Sequence, residues 1–235
     1  MWENIIKQVV NKNTIEFGGP SELFSHDSNQ CLLYKYLNEI DGGNMDNRWQ
    51  GSVNKVFSPL PNKQGIGYSL DIADEAGIKS IDKKYDLIIS SHVIEHIANP
   101  IKALTLWKDV LNTDGLILSI LPNKTEFWDW TRKTTTIEHL LEDFNNNTLE
   151  SDMTHIDDDM NQRDWSRGGF DGRVVKSREH HGELCLDNIN TRIIHHHCFD
   201  IELVQAMHEA AGYETIECFI HPTNTLQLVY LGKKK

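Results

Sequence analysis

The chain has 235 residues, 39% of them apolar, and a formal net charge of −12. That length suits one large domain or a domain carrying an insertion, and the charge argues against broad binding to a phosphate backbone. No apolar run is long enough for a membrane span, residues 1–13 lack the apolar core of a signal peptide, and Cys31, Cys185, Cys198 and Cys218, without CxxC spacing, read as thiols of a reducing cytoplasm.

Trp2, Ile5, Ile6 and Val9 recur at helical spacing and predict a helix packed on the domain. Thr14–Phe17 reads as a short strand. It runs into Gly18-Gly19-Pro20-Ser21, where glycines let the backbone approach a ligand; an ordinary strand-ending turn has the same look. Leu32–Asp41 is ambiguous between helix and strand. Asp41 lies about 20 positions after Gly18, the spacing of an acid that holds a ribose at the end of a second strand. A turn aspartate before Gly42-Gly43 is the alternative. The stretch 47–62, with Trp49, Phe57, Pro59 and Pro61, is irregular. Gly65–Ile72 reads as a third strand, with Asp71 and Asp74 at its end.

Tyr85–Ser90 is the fourth strand. Beyond it His92, Glu95 and His96 fall at i, i+3 and i+4. A helix starting near Ser91 would place all three on one face, at the carboxyl end of a strand, where open α/β sheets bind ligands. Pro100–Leu111 is an amphipathic helix stopped by Asn112–Gly115. Gly115–Leu121 is a fifth strand suited to a buried parallel position. From Asn123 to His197 the only regular element is a helix over Thr135–Phe144. The segment is too long for a plain connection and reads as a lid or substrate-binding insertion. Asp157–Asp159 reads as a solvated acidic turn. Trp128, Trp130 and Arg132 either grip a sugar or an anionic group, or form the insertion's own small core. Asp200–Ala211 is a capped helix ending at Gly212. Tyr213–Phe219 and Thr225–Leu231 are closing strands, and Lys233–Lys235 is a frayed tail. The sum is an α/β fold. Its Rossmann-like, doubly wound sheet has about seven strands, mostly parallel with an antiparallel last strand, in a single domain over 1–235 with a 123–197 insertion.

This order of elements, with IEFGGPS, SSHVIEHIANPIKAL, NTDG-LILSILPN and TTTIEHLLEDF, resembles class I S-adenosylmethionine-dependent methyltransferases. Within them it is similar to a bacterial subgroup associated with surface-glycan and small-metabolite modification. The resemblance covers nearly the whole chain and is strongest from Tyr85 to Phe144. It implies S-adenosyl-L-methionine as cofactor. Glu16, Gly18 and Gly19 then match the loop lining its methionine and ribose. Asp41 matches the acid on the ribose hydroxyls. Asp74, or failing it Asp71, matches the residue near the adenine amino group. Ser91 and His92 sit where the strand-four loop faces the sulfonium. Pro20-Ser21-Glu22 departs from the pattern, standing where the family has a third glycine.

Methyl transfer to a hydroxyl or ammonium needs alignment of the acceptor and removal of its proton. Histidine suits that base role at neutral pH. The candidates are His92, His96, His139 and the run His195-His196-His197. A divalent metal on His92, Glu95, His96 and His197 is a second possibility. Small-RNA 2′-O-methyltransferases have a similar Glu-His helix and a later His-x-Phe, although His92 here replaces their first acid. Such a set favours zinc, manganese, iron or cobalt over magnesium. Purely structural histidines stay open beside both. The expected function is methyl transfer to a hydroxyl or amine of a small metabolite or glycan precursor. The rivals are an RNA 2′-O-methyltransferase, against which the acidic charge and the lack of a basic stripe count, and a non-catalytic cofactor-binding regulatory protein. Neither the acceptor nor an oligomeric state is fixed by the sequence.

Overall fold

The computed structural model describes residues 1–25, 31–45, 56–167 and 175–235. Trp49 lies outside them. Helix α1 (Trp2–Val9) buries Ile5 and Val9 and leads to the fully buried β1 (Thr14–Phe17). After α2 (Glu22–Ser25) and a 3-10 turn at Tyr34–Tyr36, β2 spans Ile40–Asn44. The ambiguous 32–41 stretch is thus mostly turn. β3 (Phe57–Leu60) and β4 (Lys63–Gly65) form a separate antiparallel pair, and β5 is only Gly67–Ser69. The strand expected over 65–72 is interrupted because the Ile66 amide donates to Asp41 Oδ1 at 2.6 Å instead of to a ladder partner.

Helix α3 (Glu75–Lys79) is capped by Asp74, β6 runs Tyr85–Ser91, and α4 (Pro100–Trp107) is capped by Asn99 with proline in its first turn. β7 spans Leu111–Pro122. Asn112–Gly115 therefore opens a strand rather than closing a helix, and the β6–β7 register shifts between Tyr85 and Leu87 to admit it. Among the described residues, four helices occupy the next segment: α5 (Ile137–Asn146), α6 (Ile156–Gln162), α7 (Arg178–Leu186) and α8 (Asn188–Thr191). Helix α9 (Ile201–Ala210) is capped by Asp200, and β8 (Tyr213–Ile220) and β9 (Gln227–Lys234) follow. The tail is not frayed: Lys233 pairs with Leu116, and Lys234 Nζ donates to the Lys108 and Leu111 carbonyls.

The seven strands lie in the order β5-β2-β1-β6-β7-β9-β8. Pairs from β5 to β7 are parallel, and β9 is antiparallel to both neighbours. Both faces are buried, which is why β6 and β7 read as continuous apolar runs. Leu87, Ile89, Leu118 and Ile120 pack with Ile5, Val9 and Tyr34 on one face. Ile88, Ile117 and Leu121 pack with Leu104, Trp107, Val204 and Met207 on the other. Each such aliphatic contributes roughly 1.5–3 kcal/mol by leaving water. No helix among the described residues is long and apolar enough to cross a membrane.

The 123–197 segment has its own polar core. Asp159, expected in a solvated turn, is fully buried in the first turn of α6. His181 Nε2 lies 2.6 Å from its Oδ2, and Arg132 and Arg163 approach its Oδ1. Arg132 also pairs with Asp129 and Asp158, and the Arg163 guanidinium stacks on Trp128 at 4.3 Å. Burying an isolated carboxylate is costly, so Asp159 is tolerated only inside this ring of donors. Trp128 and Arg132 thus belong to the segment's own core.

Candidate active site

A cleft opens at the carboxyl ends of β1, β2, β5 and β6, lined by Gly18, Asn44, Asp71, His92, His96 and Arg192 among others. Gly18 has φ +85°, and a Cβ there would come within 2.2 Å of Val93 Cγ2, so the turn demands glycine. Gly19 lies on the Glu16 carboxyl group. Glu16 itself is buried beneath the loop rather than in the cleft wall. It accepts from Tyr34 Oη at 2.7 Å and from the Ser21 amide at 3.1 Å, and burial pushes its pKa up to about 8 despite those bonds. The Pro20-Ser21 departure is thereby tied down from below.

Asp41 is placed elsewhere than the sequence suggests. It sits at the second position of β2, against Ile15, and the cleft end of that strand is Asn44. Asp41 is buried and held by Tyr85 Oη at 2.7 Å, Lys83 Nζ at 2.8 Å and the Ile66 amide. Asn44 takes the strand-end position and donates to the Gly19 carbonyl. Of the two later aspartates, Asp71 lines the cleft and Asp74 is the exposed cap of α3.

No helix begins at Ser91, which ends β6. His92 has φ +53° and a 3-10 turn follows at Ile94–His96, yet that tight turn still gathers the expected trio. His92 Nδ1 is 3.6 Å and His96 Nε2 3.9 Å from Oε1 of the buried Glu95. His92 Nε2 lies 2.6 Å from Gln227 Oε1, and its ring packs on Phe127. His96 Nδ1 lies 3.1 Å from the Ile194 carbonyl, a partner that places the proton on Nδ1.

The histidine run is extended, with the His196 amide donating to the Glu95 carbonyl at 2.8 Å, and its side chains diverge. His195 joins Glu95 and His96, one ligand atom from each lying within 4.8 Å of the others. Its Nδ1 is 2.5 Å from Asp129 Oδ2; against the opposing effect of burial, His195 and Arg132 hold the Asp129 carboxyl below its ordinary value. His196 contacts Asn188 and the His155 ring, away from the cleft, and burial pushes its pKa down to about 3. His197 meets His139 and His155. The expected set His92-Glu95-His96-His197 is therefore not assembled; His195 stands where His197 was expected.

Arg192, unmarked by any pattern in its polar surroundings, is the residue that sequence reasoning missed. It has φ +49° and pairs with both Asp71 and Glu150, and Glu150 in turn accepts from the Ala98 amide.

Residues 8–167 match a family model described as a methyltransferase domain. No curated protein matches. Among solved structures, the chain is similar to the trans-methyltransferase CalH in complex with SAH, with 12% identity over 100% of this chain and 54% of that one, TM-score 0.51. It is also similar to the pyocyanin biosynthetic protein PhzM (10% identity, 100% and 54% covered, TM-score 0.49) and to PigF with SAH (10%, 95% and 57%, TM-score 0.47). The chain spans little more than half the length of these proteins, and at such identities the likeness is one of fold. The match over 8–167 together with the seven-stranded sheet establishes the family: the chain belongs to the class I S-adenosylmethionine-dependent methyltransferases.

Proposed function

We propose that this chain binds S-adenosylmethionine in the cleft and transfers its methyl group to a hydroxyl or amine of a small molecule or glycan precursor. The observation that carries the reading is His92, set in the cleft wall beside Gly18 with Glu95 behind its Nδ1. Bound S-adenosylmethionine would supply an electrophilic methyl group, and the residues of the cleft would align the acceptor lone pair with it. With Gln227 displaced by the acceptor, Glu95 beside Nδ1 would hold the ring proton there and leave His92 Nε2 to take the acceptor proton. Gly18 and Asn44 support one end of the cofactor and Asp71 the other. The 123–197 segment serves as a lid within a single domain, and a net charge of −12 favours a small acceptor over RNA. The free thiols suit a reducing cytoplasm.

Glu95, His96 and His195 also have the donor chemistry of a divalent-cation site, with Asp129 orienting His195 as carboxylates orient ligating histidines. These three residues would hold such an ion, which would lower the pKa of an acceptor hydroxyl.

Thermal unfolding with and without S-adenosylhomocysteine tests the cofactor assignment. Ligand at 100 times its dissociation constant adds about 2.7 kcal/mol. The expected result is a clear rise in Tm that Gly18→Ala abolishes, because a side chain at Gly18 strikes Val93. No rise at millimolar ligand would overturn the reading and leave a protein of this fold without the cofactor.

A further inference from the structure

A second group of donors lies outside the cleft, where the mechanism does not use it. His139 and Asp143 stand at i and i+4 on α5, His155 caps α6, and His197 precedes α9. One nitrogen from each of the three histidines falls within 4.8 Å of the other two. His139 Nε2 is 3.3 Å from His155 Nε2 and 3.4 Å from Asp143 Oδ2. Asp143 Oδ2 has no hydrogen-bond partner among the described residues. A tetrahedral ion with ligands at about 2.0–2.1 Å sets its donors about 3.3 Å apart. His139 Nε2 already stands at nearly that spacing from both His155 Nε2 and Asp143 Oδ2.

We propose that His139, Asp143, His155 and His197 form a structural site for a divalent transition metal of the zinc class. Three imidazoles and one carboxylate suit zinc or cobalt, whereas magnesium and calcium demand oxygen. The supporting contacts are in place. The other oxygen of Asp143 accepts from Thr148 Oγ1 at 3.0 Å, and Asn99 Nδ2 donates to the Asp143 carbonyl at 2.8 Å. His197 Nε2 lies 3.2 Å from the Ala98 carbonyl, which takes its proton and leaves the lone pair on Nδ1, a buried atom without a hydrogen-bond partner among the described residues. Burial, with the neighbouring histidines, holds the His155 and His197 pKa values down, so both rings are neutral and ready to ligate. The side chain of His139 is 38% exposed and gives an ion its path from solvent. Four protein ligands close the coordination shell, so the ion ties α5, α6 and the 195–197 segment together and performs no chemistry.

His155 is shared with a neighbouring set, Asp152 and His196. The 3.3 and 3.4 Å spacings favour the first set, since His196 Nδ1 and Asp152 Oδ2 in the second stand 3.9 Å apart.

The test is cobalt(II) titration of the full chain after chelation, followed by visible absorption and thermal unfolding. The expected result is one equivalent bound at this site, seen as the intense visible bands of tetrahedral cobalt, and a rise in Tm. His139→Ala, at the partly exposed end of the site, and Asp143→Asn should each lose the bands and the rise, whereas Asp152→Asn and Glu95→Gln should keep both. An absence of bands in the unaltered protein would overturn the assignment. So would bands that survive in His139→Ala and Asp143→Asn, and bands lost in Glu95→Gln instead would place the ion in the cleft.

Discussion

Tyr34 donates its phenolic proton to Oε2 of Glu16 at 2.7 Å, with neither side chain exposed. Burial raises the Glu16 pKa from 4.5 to about 8, so the folded protein favours the protonated carboxyl. Below the ordinary value both folded and unfolded chains hold the proton, and the contribution to stability is fully present. As pH rises through about 8 the folded chain must bury a carboxylate or release it, and the contribution is lost. Stability should therefore fall across that window. Glu16→Gln, a neutral isostere, should flatten the fall. Urea unfolding at a series of pH values checks this, and equal slopes in both proteins would remove the assignment.

His92→Ala should leave the affinity for S-adenosylhomocysteine within a few-fold and cut turnover by ~10²-fold or more. His196→Ala provides a contrast, since His196 contacts Asn188 and the His155 ring instead of the cleft. Its loss should act on stability more than on the pH profile of turnover. Calorimetric titration of the cofactor product and a pH–rate profile separate the two effects. Unchanged turnover in His92→Ala would transfer the base role to His96.

Arg192→Ala should loosen the hold of the 150–192 segment on the cleft. The guanidinium bridges Asp71, beside the cofactor cleft, to Glu150, and the Arg192 side chain is only 7% exposed. Removing one partner of a buried pair typically costs about 3–5 kcal/mol, because the other charge stays behind. The measurable signs are a lower Tm and faster hydrogen exchange over α7 and α8, with β1 and β6 still protected. Uniform loss of protection would mean that the bridge holds the whole sheet.

The mostly parallel sheet and its central strands were legible because β6 and β7 carry apolar runs that only a sheet buried on both faces requires, and because Gly18 and Gly212 mark turns with positive φ. Asp41 misled because the count from Gly18 assumes a second strand that ends at Asp41, whereas β2 runs on to Asn44. The register Glu16↔Gly42 sets the strand end at Asn44, and register is a property of pairing that a single strand does not carry. The His92–Glu95–His96 grouping was readable although its helix was not, since a 3-10 turn brings nearly the same residues together. His197 was assigned to the wrong partners for a similar reason. Consecutive side chains take different directions, so His195 turns to Asp129 and the cleft while His196 and His197 both reach His155. The polar core around Asp159 left no signal, because buried ion networks have the composition of solvated surface.

β9 is flanked by β7 and β8 although it follows both along the chain. As the polypeptide leaves the ribosome, the outer edge of β7 has no strand to meet it while all of α5 to α9 emerges. An open, apolar edge at the middle of a sheet is the surface on which nascent chains mispair. Among the described residues β8 pairs only with β9, so residues 213–234 form a local hairpin that meets the rest of the sheet along β7. That contact joins parts of the sequence far apart along the chain, and loop closure of that length slows pairing relative to local contacts.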